Sequence, residues 1–257
     1  MSGDDDWRLR YENVINHPWV KVEREWKSLD LVAQILEANQ QDLLDLIHAF
    51  ETSVEIALEW VNNVKNPNPT KDAFRLHFVR YLFNYLSSVT TLVDHTRKLM
   101  TRYEGSEVHA EYLAKVRAIS NAGRGPLLQR LRNHALHDKI PPWRTEISFR
   151  GVVVSPETLD ASIHLSRDQM LEYKDLPASA RRFLESSAEK IPIAQIVKEY
   201  REEVKHVYDW LFGQVPVLHS ADIAEYNDLV VAFQGAERTP GHPDYVPPEE
   251  RSYLNPQ

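Results

Sequence analysis

The sequence contains no cysteine, and this absence excludes disulfide scaffolds, thiolate metal sites and a cysteine nucleophile. Glycine is also scarce, with 8 residues among 257, which argues against barrels, propellers and glycine-rich nucleotide loops. No apolar run approaches the roughly 20 residues that a membrane-spanning helix needs. Residues 1–6 are acidic, whereas a secretion signal begins with basic residues. We therefore expect a cytoplasmic protein that does not enter the membrane.

The chain also lacks an overall excess of positive charge, since its formal net charge is −8. This balance argues against a protein that coats nucleic acid non-specifically, because such binding depends on neutralising phosphates. The basic residues are nevertheless concentrated. Residues 115–150, the basic segment, carry eight of them against two acidic residues, so this segment is +6 and the rest of the chain −14. A phosphate-bearing ligand and an internal salt-bridge network both explain this concentration.

Apolar residues recur at steps of three and four along most of the chain, which predicts amphipathic helices. The first predicted stretch spans residues 23–65, as one helix or two joined end to end, and the second spans residues 70–103. The short proline-rich connection between them implies a long antiparallel helix hairpin. Further helices are predicted at residues 107–121, 127–139, 166–173, 177–189, 192–212 and 221–233.

The apolar period changes after the fourth of these helices. Residues 143–154 and 158–165 alternate and are rich in Ile, Val, Phe and Thr, which predicts a β-hairpin. Residues 235–257 hold five prolines and almost no apolar pattern, which predicts a proline-rich tail. The predicted fold class is therefore all-α: an elongated antiparallel helical bundle, in one domain over residues 1–234, with a small β-hairpin inserted at about residues 143–165.

One segment, near the end of the fourth predicted helix, carries residues suited to chemistry. Arg132 and His137 place a fixed cation near a base that titrates close to neutral pH. The histidine can take a proton from a ribose 2′-hydroxyl or give one to the leaving 5′-oxygen. The arginine can hold the phosphate bidentately and stabilise the charge of the transition state. The pair suits phosphodiester cleavage, and this scheme needs no metal or other cofactor.

The Arg-x4-His spacing is common by chance, and its context is what separates this pair from the others. Among the arginines followed by a histidine after four to six residues, Arg132 alone is followed by asparagine. Asn133 and His137 are four residues apart and share one helix face. Arg132 lies about 100° around the helix from Asn133, but its long side chain can reach back. His137 falls in the last turn, where the helix dipole favours a protonated imidazole.

An Arg-Asn-x3-His motif at the end of a helix and before a proline resembles the signature of the HEPN superfamily. Residues 81–95 also resemble the helix that these proteins pack against the motif helix. The resemblance implies a helical dimer whose two motifs face each other. It also implies a metal-independent endoribonuclease of the toxin, abortive-infection or antiviral-defence type that leaves a cyclic phosphate. This chain differs from the pattern by its β-hairpin and its C-terminal tail.

Carried onto this sequence, the resemblance makes Arg132 and His137 catalytic and Asn133 a positioning residue. The surrounding basic segment supplies the predicted RNA-binding residues, which are Arg124, Arg130, Lys139 and Arg144. The expected partners are RNA, a second copy of the chain through the motif face, and an antitoxin or other defence-system protein. Some members of the superfamily have lost catalysis, so a binding or scaffold module is the alternative function.

Two other polar or aromatic features have competing explanations. His134, His137 and Asp138, with Asp94 or His95 from the preceding long helix, offer ligands for a metal ion, but no H-E-x-x-H motif accompanies them. A second feature is an aromatic set at helical spacing, formed by Phe74, Phe78, Tyr81, Phe83 and Tyr85. Such a set could stack on bases, but this spacing favours a core position.

Overall fold

The computed structural model describes residues 3–62, 69–137, 140–151 and 154–237 and is 79% helical. Over these residues the helices are α1 (Gly3–Ile15), α2 (Pro18–Thr52), α3 (Val54–Asn62), α4 (Pro69–Met100), α5 (Glu107–Ala122), α6 (Arg124–His137), α7 (Arg167–Leu171), α8 (Ala178–Ser186), α9 (Ile193–Leu218) and α10 (Ser220–Glu237). The strands are β1 (Trp143–Phe149), β2 (Leu159–Ser166) and β3 (Lys190–Pro192). The prediction of a mainly helical chain is confirmed. None of the helices in these ranges is long and apolar enough to cross a membrane.

The strands form one small antiparallel sheet in the order β1-β2-β3. Trp143 pairs with Leu165 at one end of the β1–β2 ladder, and Phe149 pairs with Leu159 at the other. This ladder is the predicted hairpin. The third strand is an addition to the prediction, because its three residues are too few to show an alternating pattern. It joins the sheet by pairing Ile191 with Leu165.

Several helix boundaries differ from the predicted ones. The stretch predicted at residues 23–65 is two helices joined end to end, since Ser53 interrupts the helix between α2 and α3. Helix α2 begins at Pro18, which suits a first helical position because proline needs no hydrogen-bond acceptor there. Helix α10 continues through Glu237, past the predicted start of the tail, and residues 238–257 lie outside the described residues.

The described chain divides into two compact units. One unit combines the residues up to Ser28 with those from Leu211 onwards, and the other comprises Leu29–Trp210. Whether these units make up the one domain predicted over residues 1–234 stays a prediction. In the first unit, aromatic contacts join its two chain segments: the rings of Trp19 and His219 are 5.4 Å apart, and those of Trp26 and Phe212 are 5.7 Å apart.

The core of the second unit is built along α4. Its buried side chains follow a helical period and include Phe74, Phe78, Leu82, Tyr85, Leu86, Val89 and Leu92. The core interpretation of the aromatic set is confirmed for Phe74, Phe78 and Tyr85, whereas Tyr81 and Phe83 are half-buried. The rings of Phe50, at the end of α2, and Phe74, near the start of α4, are 5.0 Å apart. Helix α6 packs against α4, and this contact positions the predicted motif.

Candidate functional site

The residue before helix α6 is a glycine that no other residue can replace without strain. Gly123 has φ +89°, in the left-handed region, where it caps α5. A Cβ atom added there would lie 2.4 Å from the carbonyl oxygen of Ser179 and 2.8 Å from Cβ of Phe183, both on α8. The close approach of α8 therefore requires glycine, and it fixes where the motif helix begins.

One face of α6 is buried. Leu127, Leu128, Leu131 and His134 form this inner face, at the three- and four-residue spacing that an amphipathic helix predicts. Asn133 and Arg132 are half-buried and His137 is exposed. The three motif residues therefore lie on the side and outer end of a helix that is anchored by leucines, and solvent reaches the histidine.

Arg132 and Asn133 are in direct contact. Nη1 of Arg132 donates a hydrogen bond to Oδ1 of Asn133 at 3.2 Å, so the long side chain does reach back to its neighbour. Nε of Arg132 is buried without a hydrogen-bond partner. Among the described residues, no carboxylate lies within ion-pair distance of this guanidinium. Arg132 thus keeps N–H groups that can donate hydrogen bonds to a negatively charged ligand.

His137 is the last residue of α6, and its side chain is exposed. It lies five residues after Arg132, which corresponds to about 7.5 Å along the helix axis. Asn133 is one turn before His137, so the Arg132–Asn133 hydrogen bond brings the guanidinium toward the helix face that the histidine shares.

Arg124, a predicted RNA-binding residue, has two carboxylate partners. Its Nε donates to Oε2 of Glu199 at 2.7 Å, and its Nη1 donates to Oε1 of Glu203 at 2.6 Å. The side-chain hydrogen bond from Gln195, together with Arg124, lowers the pKa of Glu199. Burial raises the pKa of Glu203 more than Arg124 lowers it. This geometry describes an internal ion pair that ties α6 to α9.

The other predicted RNA-binding residues have different surroundings. Nη2 of Arg130 is 3.4 Å from Oδ2 of Asp175, and its guanidinium lies 5.9 Å from the centre of the Tyr173 ring. Arg144 is exposed on β1 and has no carboxylate within ion-pair distance in the described part of the chain. Lys139 lies outside the described residues.

Some basic residues of this segment form internal salt bridges, and others remain for a phosphate-bearing ligand, which are the two explanations given for the basic segment above. Lys115, Arg124 and Arg130 each pair with an acidic side chain. The remaining arginines have no such partner in the described ranges, and they are Arg117, Arg132, Arg144 and Arg150. The salt-bridge network therefore accounts for some of the basic residues, and those that remain include the motif arginine.

The candidate metal ligands do not form a cluster among the residues that the structure describes. His134 is buried, and its ring lies 4.3 Å from the ring of Tyr173. Asp94 pairs with Arg97 at 3.1 Å on the exposed surface of α4. Within the described ranges, no group of three or more His, Asp or Glu residues could hold a metal ion. Asp138 lies outside those ranges.

A cleft that the sequence does not predict is lined by residues from α3, α4, β1 and the segment before β1. It has a volume of about 580 Å³ and is lined by Trp60, Arg75, Val79, Ile140, Pro141, Pro142, Trp143, Arg144 and Thr145. Arg144 was predicted as a ligand-binding residue, but Arg75 was not, because it lies far from the basic segment in sequence. The charge pattern of residues 115–150 does not show which arginine from elsewhere in the chain packs near them.

The chain matches none of the protein-family models, curated proteins or solved structures with which it was compared. Three features of α6 therefore bear on function. Arg132 has no acidic partner among the described residues, the amide of Asn133 accepts a hydrogen bond from it, and His137 is exposed at the end of the same helix.

Proposed function

We propose that this chain is a metal-independent endoribonuclease whose reaction uses Arg132, Asn133 and His137. The observation that carries the proposal is the contrast among the three described arginines of α6. Arg124 and Arg130 each have a carboxylate partner, whereas the one partner of Arg132 among the described residues is the neutral amide of Asn133. An arginine that is half-buried without an acidic partner is expected where its charge serves a ligand.

The chemistry follows from the groups present. The imidazole of His137 takes the proton of a ribose 2′-hydroxyl while the 2′-oxygen attacks phosphorus. The bond from phosphorus to the 5′-oxygen breaks, and a protonated imidazole gives that oxygen a proton. The guanidinium of Arg132 binds the non-bridging oxygens and stabilises their charge in the transition state. The products are a 2′,3′-cyclic phosphate and a 5′-hydroxyl, with no change in oxidation state.

Cleavage of a mixed-sequence single-stranded RNA in EDTA tests the proposal. We expect wild-type protein to cut it, leaving a cyclic phosphate, and to spare a substrate whose target nucleotide is 2′-deoxy. Arg132→Gln and His137→Ala should each lower the rate about 100-fold or more. Arg117→Gln and His95→Ala remove the same groups from exposed helix positions outside the motif and should leave the rate unchanged. Equal activity in all five proteins would overturn the proposal.

The HEPN resemblance adds a second copy of the chain, with both motifs in one cleft, and a toxin or antiviral-defence role in the cytoplasm with an antitoxin partner. A mixing experiment tests the dimer. If each site takes Arg132 from one protomer and His137 from the other, then combining the two inactive variants restores part of the activity. If each protomer has a complete site, mixing restores none.

The alternative is a HEPN-like module that binds without cutting. The exposed position of His137 is compatible with this function as well, since no described residue fixes its side chain. The two functions differ in one measurement: a binding module leaves RNA intact, and replacing His137 does not weaken its complex with a partner. Absence of cleavage across a panel of RNA sequences would favour the module.

A further inference from the structure

The cleft of about 580 Å³ lies within the larger unit and has a mixed lining. Two arginines reach it from different elements, Arg75 from α4 and Arg144 from β1. Two indoles line it as well, Trp60 from α3 and Trp143 from β1. Residues from three elements thus line one open space, and two of them, Trp143 and Arg144, are neighbours on β1.

The two arginines of this cleft take part in none of the ion pairs among the described residues. Arg75 and Arg144 are both exposed, and neither has a carboxylate within ion-pair distance among the described residues. The acidic side chain nearest to Arg144 along its strand is Glu146, which is held by Lys190. The hydrogen bond from Lys190 lowers the pKa of Glu146, and the nearby charge of Arg144 lowers it further, so Glu146 offsets part of the charge of Arg144. Both arginines are therefore available to an anion.

The aromatic rings are held rigidly by the core. The ring of Trp143 lies 4.4 Å from that of Phe78, which is fully buried. Trp60 makes edge-to-face contacts with Phe50 and Phe74, at 5.2 and 5.5 Å. The ammonium of Lys71 lies 5.3 Å from the centre of the Trp60 ring. Indoles with fixed orientations lose little entropy when a flat ligand stacks on them.

The cleft is also close to the motif. Ile140, in its lining, follows His137 by three residues. A fully extended chain of three residues spans at most about 11 Å, so the edge of the cleft is within the reach of the same RNA strand. An RNA strand bound at His137 can therefore continue into the cleft.

We propose that this cleft is a nucleotide-binding subsite, in which Arg75 and Arg144 bind phosphates of single-stranded RNA and Trp60 and Trp143 offer stacking surfaces for its bases. The inference deepens the proposed function, and it rests on that function for the placement of the RNA strand. The mixed lining favours this ligand over others. A free inorganic anion would need only the arginines, and an apolar peptide would need only the rings.

Binding of a fluorescein-labelled, 2′-O-methylated single-stranded RNA of mixed sequence tests the subsite, because this probe cannot be cleaved through a 2′-hydroxyl. Arg75→Gln and Arg144→Gln should each raise the dissociation constant about tenfold. Each should also reduce the salt dependence of binding by about 0.7 in the log–log slope, the value for one phosphate contact. Arg97→Gln on α4 and Arg150→Gln after β1 remove equal charge outside the cleft lining and should have little effect.

A second pair of variants adds charge instead of removing it. Ile140 is 54% exposed within the lining, so Ile140→Asp repels phosphate without disturbing the core. Leu76 is 69% exposed and lies beside Arg75 in sequence but outside the lining, so Leu76→Asp is the matched control. We expect Ile140→Asp to weaken binding about tenfold more than Leu76→Asp. If the arginine variants and the Ile140→Asp variant bind the RNA with the same dissociation constants as their respective controls, the subsite proposal is wrong.

Two further outcomes separate this proposal from the others. If the cleft variants lose binding but wild-type protein cuts no RNA, the subsite stands and the nuclease fails. If wild-type protein cuts RNA and the cleft variants bind and cut as their controls do, the nuclease stands and the subsite fails. Polyglutamate of similar charge is the competitor for an acidic peptide ligand. If it displaces the RNA at equal concentration, the assignment to nucleotides is wrong.

Discussion

The guanidinium of Arg132 donates through Nη1 to the amide oxygen of Asn133, the next residue along α6, at 3.2 Å. Adjacent residues on a helix point about 100° apart, so this contact requires the arginine to bend toward its neighbour. The amide oxygen is neutral, and no carboxylate among the described residues pairs with this guanidinium. Asn133 therefore contacts Arg132 without neutralising its charge, and the proposed function gives it an orienting role.

Asn133→Ala tests this orienting role. We expect it to lower the single-turnover rate of RNA cleavage about tenfold, because the guanidinium loses one fixed hydrogen bond. The melting temperature should change little, since Asn133 is only half-buried. Gln129→Ala, at the exposed position one turn earlier on α6, is the control. A wild-type rate for Asn133→Ala would show that Arg132 needs no positioning by the amide.

The two histidines at the end of α6 should have opposite effects. His137 is exposed, so His137→Ala should abolish RNA cleavage while the melting temperature stays constant. His134 is buried against the Tyr173 ring, so His134→Ala should cost about 2–3 kcal/mol of unfolding free energy. Urea unfolding and RNA cleavage measured on both variants check this. Loss of stability in His137→Ala would assign that residue a structural role.

The position of Arg124 predicts a stability effect in place of a catalytic one. Arg124→Ala leaves Glu199 and Glu203 without their shared cation. Removing one partner of a buried ion pair typically costs about 3–5 kcal/mol. We expect about 2 kcal/mol here, because 23% of the Arg124 side chain is exposed. Arg117→Ala, on the exposed surface of α5, should cost less than about 0.5 kcal/mol. Urea unfolding of both measures the difference.

The spacing of apolar residues predicts much of this fold, and the elements that it does not predict have physical causes. The buried face of α4 and the β1–β2 hairpin follow from periods of 3.6 and 2. Helix α1 was not predicted, because its first residues are polar and acidic and show no apolar period. Strand β3 was not predicted either, because Lys190–Pro192 becomes a strand only through pairing with β2.

The candidate site was predictable in part, for a similar reason. Local sequence identifies Arg132, Asn133 and His137, since all three lie within six residues. Local sequence cannot show that Arg124 forms ion pairs and that Arg132 does not, because both are arginines of one helix. Glu199 and Glu203, which engage Arg124, lie more than seventy residues away. Arg75 in the cleft was missed for the same reason, because tertiary packing alone brings it opposite Arg144.

Gly123→Ala should destabilise the protein strongly, because two costs combine. The alanine would have to keep a left-handed backbone, at a cost of about 1–2 kcal/mol, and its Cβ would clash with the backbone of Ser179. We expect a total loss of at least about 3 kcal/mol. Gly105→Ala isolates the first cost, since Gly105 has φ +83° and nothing within 4 Å of an added Cβ. Equal losses in the two variants, measured by urea unfolding, would contradict the close packing of α8.

Glu51 and Glu146 should give opposite dependences of stability on pH. Burial raises the pKa of Glu51, despite a hydrogen bond from the Ile163 amide. Below its unfolded pKa this carboxyl is protonated in both states, so Glu51→Gln should match wild type in acid. As the pH rises through the raised pKa, wild type loses stability, and the variant should then melt at the higher temperature.

The hydrogen bond from Lys190 lowers the pKa of Glu146, so Glu146→Gln should melt below wild type at neutral pH. That difference should vanish as the pH falls through the lowered pKa. Melting curves from acidic to neutral pH measure both, and a shift of the same sign in the two variants would contradict the environments assigned to these carboxyls.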